Sequence, residues 1–229
     1  MAPDPLEVLR TVPLFRQVPE ADLIALAHLV RERRHPKGTL ILSQGDQGDT
    51  LFLIRSGQVK VSVVAEDGRE VILSVLGPGS FFGELALLDD EPRSAHVTAM
   101  EETVLLQLHR DDFRNRLKFA PDLPISLLRE LSQRLRRADD TIASLMLLDV
   151  NGRVANLLLE LAREEGGETG TRITRRLTHA SLGQMVGASR ETVSRTMRNL
   201  VLRGVISVTR RETVLLDPPA LRLAAQRAS

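Results

Sequence analysis

Between residues 35 and 108, short runs of apolar and β-branched residues alternate with turn residues. The runs are TLILS, TLFLIRS, VKVSVV, EVILSVL, HVTAM and TVLLQL. The turn residues between them are Gly38, Gly45, Gly48, Gly57, Asp67-Gly68 and Gly77-Pro78-Gly79. Closely spaced short strands, with Asp-Gly as a good hairpin turn, are typical of a small antiparallel barrel or roll. This part of the chain therefore predicts a β-roll.

Helical patterns lie on both sides of the predicted roll. Residues 13–30 contain the apolar stretch LIALAHLV with Asp22 near its start, which predicts a short helix. After Arg110 the apolar residues again recur with the period of a helix. From Pro124 to about Leu148 the chain has no internal glycine or proline, so this segment predicts one long helix.

The long segment carries a heptad pattern. Its two sets of apolar positions, offset by three residues, are Leu128, Leu135 and Ile142, and Leu131, Ala138 and Leu145. Such a seam over about three heptads is typical of a parallel two-stranded coiled coil, so we expect a homodimer. The alternative is an amphipathic helix that packs on its own domain.

Residues 149–152 (DVNG) interrupt the heptads and mark the expected domain boundary. We interpret them as a hinge rather than a flexible linker, because they contain no Ser, Gly or Pro tract. Beyond them, residues 154–162 predict a helix, 164–170 an exposed loop, and 205–216 a hairpin, with two short helices around Gly187. The expected division is residues 1–121 for the roll, 122–149 for the dimerisation helix and hinge, and 150–229 for a second domain.

Composition and charge agree with two globular domains. Of 229 residues, 42% are hydrophobic and 27% charged. Residues 1–150 carry 18 Lys and Arg against 23 Asp and Glu, whereas residues 151–229 carry 13 against 7. An acidic half followed by a basic half indicates that the second domain binds a polyanion. The alternative is an accidental imbalance between two solvated surfaces.

Several classes of protein are disfavoured by what the sequence lacks. No apolar run approaches the roughly 18 residues that cross a bilayer, and residues 1–10 show no signal pattern, so we expect a cytoplasmic protein without a membrane partner. Without cysteine, the chain has no disulfides, thiol catalysis or iron–sulfur ligands. Five histidines lack ligand spacing, so we assign no metal and no haem: His28, His35, His96, His109 and His179.

Residues 179–193 have the layout of a helix-turn-helix. Gly183 permits close approach of two helices, and Gly187 fits the tight turn between them. Ser189 is the expected N-cap of the second helix, and Gly204 is expected to end it. The expected shared core consists of Leu182, Val186, Ala188 and Val193.

The second of these helices begins with residues suited to reading base pairs. N-terminal residues of a recognition helix reach base edges in the major groove. Arginine pairs with guanine and glutamate with the cytosine amino group, so Arg190 and Glu191 predict a G/C-containing half-site. The alternative for Glu191 is a favourable charge at a helix N-terminus. The candidate DNA contacts are Thr178, Ser189, Arg190, Glu191, Thr192 and Arg195.

The predicted hairpin carries Thr209, Arg210 and Arg211 at its turn. It resembles a wing that contacts phosphate, and a solvated turn is the alternative.

Residues 82–95 (FGELALLDDEPRSA) carry groups suited to a small phosphorylated ligand. Backbone N–H groups from Gly83 to Leu85 can form an anion nest. Arg93 and Ser94 can bind phosphate oxygens, and Glu84 can accept a hydrogen bond from a hydroxyl group.

In this order, the features resemble the CRP/FNR family of transcription regulators, and within it the cyclic-AMP-responsive branch. The resemblance extends from about Leu14 to Leu216. Its motifs are Gly83-Glu84-Leu85 with Arg93-Ser94-Ala95, and SRETV at residues 189–193. It implies an α+β protein with a double-stranded, jelly-roll-like β-roll that binds a cyclic nucleotide, a long dimerisation helix and a C-terminal winged helix-turn-helix.

The resemblance also implies roles for individual residues. Cyclic AMP is the implied effector, with its phosphate held by Gly83, Arg93, Ser94 and Ala95 and its ribose side contacted by Glu84 and Leu85. A TGTGA-like palindrome would be read by Arg190, Glu191 and Arg195. The implied regulator is not an enzyme, and its partners are double-stranded DNA, a second copy of the chain and RNA polymerase.

The long helix departs from the family pattern. Where the enteric protein has Thr-Ser facing adenine, this chain has Ala138 and Asp139. A carboxylate at Asp139 can accept from the adenine amino group and would repel the guanine carbonyl. Arg134 aligns with a ligand-proximal arginine of the family, with a solvated side chain as the alternative.

Three other functions remain as alternatives. One is a family member with a different effector or with constitutive DNA binding, which the departure at residues 138 and 139 allows. Another is a cyclic-nucleotide-binding module of a larger signalling assembly, which the helix-turn-helix disfavours. A cupin-like enzyme would need clustered metal ligands, whereas the histidines here are scattered.

Overall fold

The computed structural model describes residues 4–119, 122–167, 170–175, 177–209 and 211–226. The chain divides into two compact units, Met1–Leu135 and Arg136–Ser229.

In the first unit, two helices and a 3₁₀ turn precede the strands. They are α1 (Pro5–Thr11), the 3₁₀ turn (Pro13–Phe15) and α2 (Glu20–Leu29). Asp22 lies in the first turn of α2, as the sequence predicted. The strands are β1 (Arg31–His35), β2 (Leu40–Leu42), β3 (Thr50–Ser56), β4 (Val59–Val64), β5 (Glu70–Leu76), β6 (Phe81–Phe82), β7 (His96–Ala99) and β8 (Thr103–His109). Two further helices are α3 (Leu85–Leu88), between β6 and β7, and α4 (Arg110–Phe119), after β8. The next helix, α5 (Asp122–Leu147), begins in this unit and ends in the second.

The strands form two antiparallel sheets, in the orders β1-β8-β3-β6 and β2-β7-β4-β5. Strands β4 and β5 form the hairpin expected at Asp67-Gly68, where Gly68 has a φ of +82°. Positive φ is what this type of turn requires, and glycine adopts it without steric cost. The predicted β-roll is confirmed.

Strand β3 shows how the sheets are held together. Its side chains alternate, so Leu51 and Leu53 join a core with the helices, whereas Phe52 and Ile54 join a core between the two sheets. In that second core, the rings of Phe52 and Phe82 stack with centroids 5.0 Å apart. Burial on both faces explains why β3 is almost continuously apolar.

Strand β1 was not expected from the sequence. Its residues, RERRH, show no apolar alternation, and four of the five are exposed. The strand forms because its backbone pairs with β8, from Arg31 opposite Gln107 to His35 opposite Thr103. A charged edge strand of this kind also disfavours pairing with other chains.

The second unit continues with a winged helix-turn-helix, as predicted. Its elements after α5 are α6 (Val150–Gly166), β9 (Arg172–Ile173), α7 (His179–Val186), α8 (Arg190–Leu202), β10 (Ile206–Val208), β11 (Thr213–Leu215) and α9 (Pro218–Ala224). The strands form one antiparallel sheet in the order β10-β11-β9. The expected core residues Leu182, Val186 and Val193 are buried, with Ala188 packed against them.

Two details of the sequence prediction for this unit were wrong. The break at residues 149–152 is shorter than expected, because α6 begins at Val150 and Asp149 caps it by accepting from the Gly152 N–H at 2.7 Å. The predicted loop from residue 164 begins too early, because α6 continues to Gly166. Residues 168 and 169 of that loop lie outside the described residues.

No helix in the described ranges is long and apolar enough to span a bilayer.

Candidate effector and DNA-binding sites

Arg93 is a buried residue whose position depends on a segment more than 40 residues earlier. Its backbone N–H donates to Asp46 at 2.8 Å, and its carbonyl accepts from Gly45 at 2.9 Å. Its side chain donates through Nη1 to the Gly83 carbonyl at 2.7 Å and through Nη2 to the Thr50 carbonyl at 2.8 Å. Only 5% of Arg93 is exposed.

The charge of Arg93 is not balanced by a direct partner. In the described part of the chain, no carboxylate forms an ion pair with it, and its Nε is buried without a hydrogen-bond partner. Burial lowers the pKa of Arg93, while the more distant carboxylates of Asp49 and Glu84 raise it. Buried charges are normally paired, so this guanidinium is well suited to bind an anion.

Two glycines leave the space that Arg93 occupies. A Cβ on Gly48 would lie 2.0 Å from Nε of Arg93, and a Cβ on Gly83 would lie 2.7 Å from its Nη1. Gly83 also has a φ of +85°, which side chains rarely permit. Both positions therefore require glycine when Arg93 is in place.

Glu84 lies beside Arg93, and only one of its two carboxylate oxygens has a hydrogen-bond partner among the described residues. Only 3% of the residue is exposed, and its Oε1 accepts from Nη1 of Arg134 at 2.7 Å. Its Oε2 is buried and has no partner in the described ranges. Burial raises the pKa of Glu84, and the positive charge of Arg134 opposes this rise.

Arg134 is bound within the first unit rather than solvated. Besides Glu84, its guanidinium contacts the Phe81 carbonyl at 2.7 Å and lies 4.5 Å from the centroid of the Phe81 ring. Arg134 belongs to α5, so this contact connects the loop after β6 with the long helix.

The structure thus brings Gly83, Glu84, Arg93 and Arg134 together. The other predicted effector residues differ in exposure: Leu85 and Ser94 are exposed, and Ala95 is buried. Ala138 and Asp139 are exposed on the part of α5 that belongs to the second unit.

The carbonyl of Thr50 and the space at Gly48 were not predicted from the sequence, where Gly48 is only one of several turn residues. No local signal connected it with an arginine 45 positions later, because only the folded sheets bring the two segments into contact.

In the second unit, the turn of the helix-turn-helix depends on two glycines. Gly187 adopts the left-handed conformation with a φ of +64°. A Cβ on Gly183 would lie 2.7 Å from the Ala188 carbonyl, so a larger residue would separate α7 from the start of α8. Thr178 is exposed and caps α7 by accepting from the Ser181 N–H at 3.0 Å.

Helix α8 buries one face and exposes the predicted DNA contacts. Val193, Thr196, Met197 and Leu200 are buried. Arg190, Glu191 and Arg195 are exposed, and Thr192 is half-buried. Ser189 caps the helix as predicted, accepting from the Thr192 N–H at 3.2 Å.

Glu191 is held as a carboxylate at the start of α8. Hydrogen bonds from its own backbone N–H and from the Ser189 hydroxyl lower the pKa of Glu191. The ionised side chain can only accept hydrogen bonds, which suits both pairing with cytosine and stabilising the helix N-terminus.

The hairpin turn is held by Thr209, whose hydroxyl oxygen accepts from the N–H groups of Arg211 at 3.2 Å and Glu212 at 3.1 Å. Arg211 is exposed. Arg210, the other predicted phosphate contact, lies outside the described residues.

No group of three or more histidine or acidic side chains within the described residues is arranged to bind a metal ion.

Comparison with known proteins agrees with both halves of the fold. A family model for the cyclic nucleotide-binding domain matches residues 32–118, and one for the Crp-like helix-turn-helix domain matches residues 152–224. The CRP-like cAMP-activated global transcriptional regulator of Mycobacterium tuberculosis is 36% identical over 222 residues, covering 96% of this chain and 99% of that protein.

Two solved structures extend the comparison. The catabolite activator protein of Thermus thermophilus shares 34% identity and a TM-score of 0.53, covering 93% of this chain and 98% of that one. The c-di-GMP-responsive global regulator CLP of Xanthomonas campestris shares 26% identity and a TM-score of 0.70, covering 82% of this chain and 94% of that one. With near-complete coverage of relatives more than one third identical, the chain belongs to the CRP/FNR family of transcription regulators.

Proposed function

We propose that this regulator is a homodimer that binds cyclic AMP in its β-roll and, in response, binds a TGTGA-like palindrome through α8. Residues 1–121 bind the effector, 122–149 form the dimerisation helix and hinge, and 150–229 bind DNA. The observation that carries this proposal is Arg93, a buried guanidinium with no carboxylate partner among the described residues.

A cyclic phosphate fits the chemistry of this site. Arginine binds phosphate oxygens through charge-assisted hydrogen bonds that are stronger than neutral ones. Within the part of the chain that the structure describes, the buried Nε of Arg93 has no partner, and Oε2 of Glu84, also without one, can accept from a ribose hydroxyl. The further effector contacts that we propose are Gly83, Leu85, Ser94, Ala95, Ala138 and Asp139.

The identity of the effector has one specific alternative. The relative from Mycobacterium tuberculosis is described as cAMP-activated, whereas CLP is described as c-di-GMP-responsive. Asp139 favours adenine over guanine, because a carboxylate accepts from the adenine amino group and repels the guanine carbonyl. Isothermal titration calorimetry with cyclic AMP, cyclic GMP and c-di-GMP separates these effectors.

The contact between Glu84 and Arg134 suggests how the roll signals to the long helix. A ribose hydroxyl that donates to Oε2 of Glu84 leaves the contact between Oε1 and Arg134 in place. The effector therefore favours the state of α5 in which Arg134 holds this carboxylate, because a ligand shifts a conformational equilibrium only through a difference in affinity between the two states. The recognition helices of the two subunits would then lie about one DNA turn apart.

DNA recognition is assigned to the exposed start of α8. Arg190 and Arg195 would bind guanine and Glu191 cytosine. The DNA backbone would be contacted by residues that cap or flank these helices, namely Thr178, Ser189 and Thr192. Arg211 of the hairpin would contact it as well. RNA polymerase is the expected protein partner, and the cytoplasm the expected location.

A gel shift experiment on a TGTGA-type palindrome tests the proposed function. Binding is expected to depend on cyclic AMP and to exceed binding to a scrambled duplex at the same salt concentration. Equal binding with and without every nucleotide tried would contradict the effector switch, and equal binding to both duplexes would contradict the proposed half-site.

The proposed dimer can be tested by substituting a residue of the heptad seam. Leu128, Leu135 and Ile142 expose 59%, 63% and 55% of their surface, which is unusual for leucine and isoleucine on a helix without a partner. Leu135→Asp is expected to weaken self-association by at least about 30-fold, roughly 2 kcal/mol, because a carboxylate would enter an apolar seam. Sedimentation velocity measures the change.

Gln133→Asp is the matched control for the seam. It adds the same carboxylate to the same helix, about 160° away from Leu135, and is expected to leave the dimer intact. Dimers in both variants would show that the seam is not the subunit interface.

A further inference from the structure

Two arginines one turn apart on α4 hold the loop that carries Arg93. Arg110 and Arg114 both donate to the Asp90 carboxylate, Arg114 through Nη2 at 2.9 Å. Arg114 also donates to the Leu87 carbonyl at 2.8 Å. In the described part of the chain, Asp90 is the one residue other than glycine with a positive φ, at +63°. Aspartate tolerates this conformation better than most residues, so Asp90 can both turn the loop and bind α4.

Arg110 makes two contacts that Arg114 does not make. Its Nη2 donates to the Gly48 carbonyl and to the Ala86 carbonyl, the latter at 3.0 Å. Nε of Arg93 packs against the backbone of Gly48. Ala86 belongs to α3, which begins directly after Glu84. Arg110 therefore joins the two segments that enclose the Arg93 guanidinium.

Asp90 offsets part of the positive charge of this arrangement. The positive charge of Arg110 contributes to lowering the pKa of Arg93. The pKa of Asp90 is held below its usual value, first by the hydrogen bond from Arg114 and then by the charges of both arginines. Asp90 carries one negative charge against the two positive charges of Arg110 and Arg114, so it offsets part of the charge that Arg110 places near Arg93.

We propose that Arg110, paired with Asp90, is a positioning residue for the effector site. It fixes the Gly48 and Ala86 carbonyls and so keeps Arg93 oriented toward the phosphate, without contacting the effector itself. This inference rests on the proposed binding of a cyclic nucleotide.

Calorimetry with cyclic AMP on the full-length protein compares Arg110→Gln with Arg114→Gln. Both variants lose a contact to Asp90, but only the first loses the contact to Gly48. Groups that orient a binding residue typically change affinity by about 10- to 100-fold, as outer ligands of metal sites do. We expect a loss of about tenfold for Arg110→Gln and less than about twofold for Arg114→Gln, with urea unfolding confirming that both variants fold.

A double-mutant cycle distinguishes positioning from a general structural role. In an Arg93→Lys background, which keeps the charge but loses the planar fork, Arg110→Gln is expected to have little further effect on affinity, because Arg110 acts through Arg93. Additive losses of affinity in the double variant would overturn the positioning role. Equal losses of affinity in Arg110→Gln and Arg114→Gln would overturn it as well. Absence of binding by the wild-type protein to any cyclic nucleotide would overturn the proposed function itself, and this inference with it.

Discussion

Replacing Arg93 with glutamine is expected to weaken binding of cyclic AMP by at least about 100-fold, roughly 3 kcal/mol. The variant removes the one buried guanidinium that has no carboxylate partner within the described residues, and with it the charge that would balance the cyclic phosphate. Isothermal titration calorimetry on the dimer gives the affinity directly. A thermal shift assay should show the same loss, because only a bound ligand stabilises the folded state.

Arg55→Gln is the matched control for this variant. Arg55 is also a buried arginine of the roll, with 6% of its side chain exposed, but it is paired with Glu32 of β1. Breaking that pair is expected to lower the free energy of unfolding while leaving the affinity for cyclic AMP unchanged. Equal affinity losses in the two variants would attribute the effect to damage to the roll rather than to a phosphate contact.

Replacing Arg190 with alanine is expected to reduce discrimination between the palindrome and a scrambled duplex by about 1–3 kcal/mol for each half-site. Arg190 is exposed at the N-terminus of α8, where a recognition helix meets base edges. Binding to the scrambled duplex should change much less, because a base contact contributes only where the correct base is present. Fluorescence anisotropy with both duplexes at one salt concentration measures the difference.

Arg222→Ala is the control for charge. Arg222 is exposed on α9, outside the helix-turn-helix, so the variant removes the same positive charge from the same unit. Its discrimination between duplexes is expected to match the wild type. If Arg190→Ala weakened binding to both duplexes equally, Arg190 would be a phosphate contact instead of a base contact.

The helix-turn-helix shows how much a contiguous motif predicts. Gly183, Gly187 and Ser189 were assigned to close packing, the turn and the helix cap from sequence, and all three have that role in the structure. These features depend on residues a few positions apart, so their geometry is set by local backbone preferences. Whether Arg190 and Glu191 read bases stays a prediction.

The effector site was predictable only in part. Glu84 and Arg93 were singled out because their side chains suit a phosphorylated ligand. Glu84 contacts Arg134, which lies 50 positions later in the sequence. Arg93 donates to the carbonyl of Thr50, which lies 43 positions earlier. Contacts at such separations depend on sheet order and on the position of α5, which local patterns do not specify.

The sequence by itself determined most strands of the roll, the long helix with its heptad positions, and the two motifs of the family, because apolar periodicity and turn residues act locally. Only the tertiary structure decided that a charged segment becomes β1 and that Arg110 donates to the Gly48 carbonyl beside Arg93. The physical reason is the same in each case: backbone pairing, burial and charge balance depend on what lies nearby in space, and the folded chain alone brings those neighbours together.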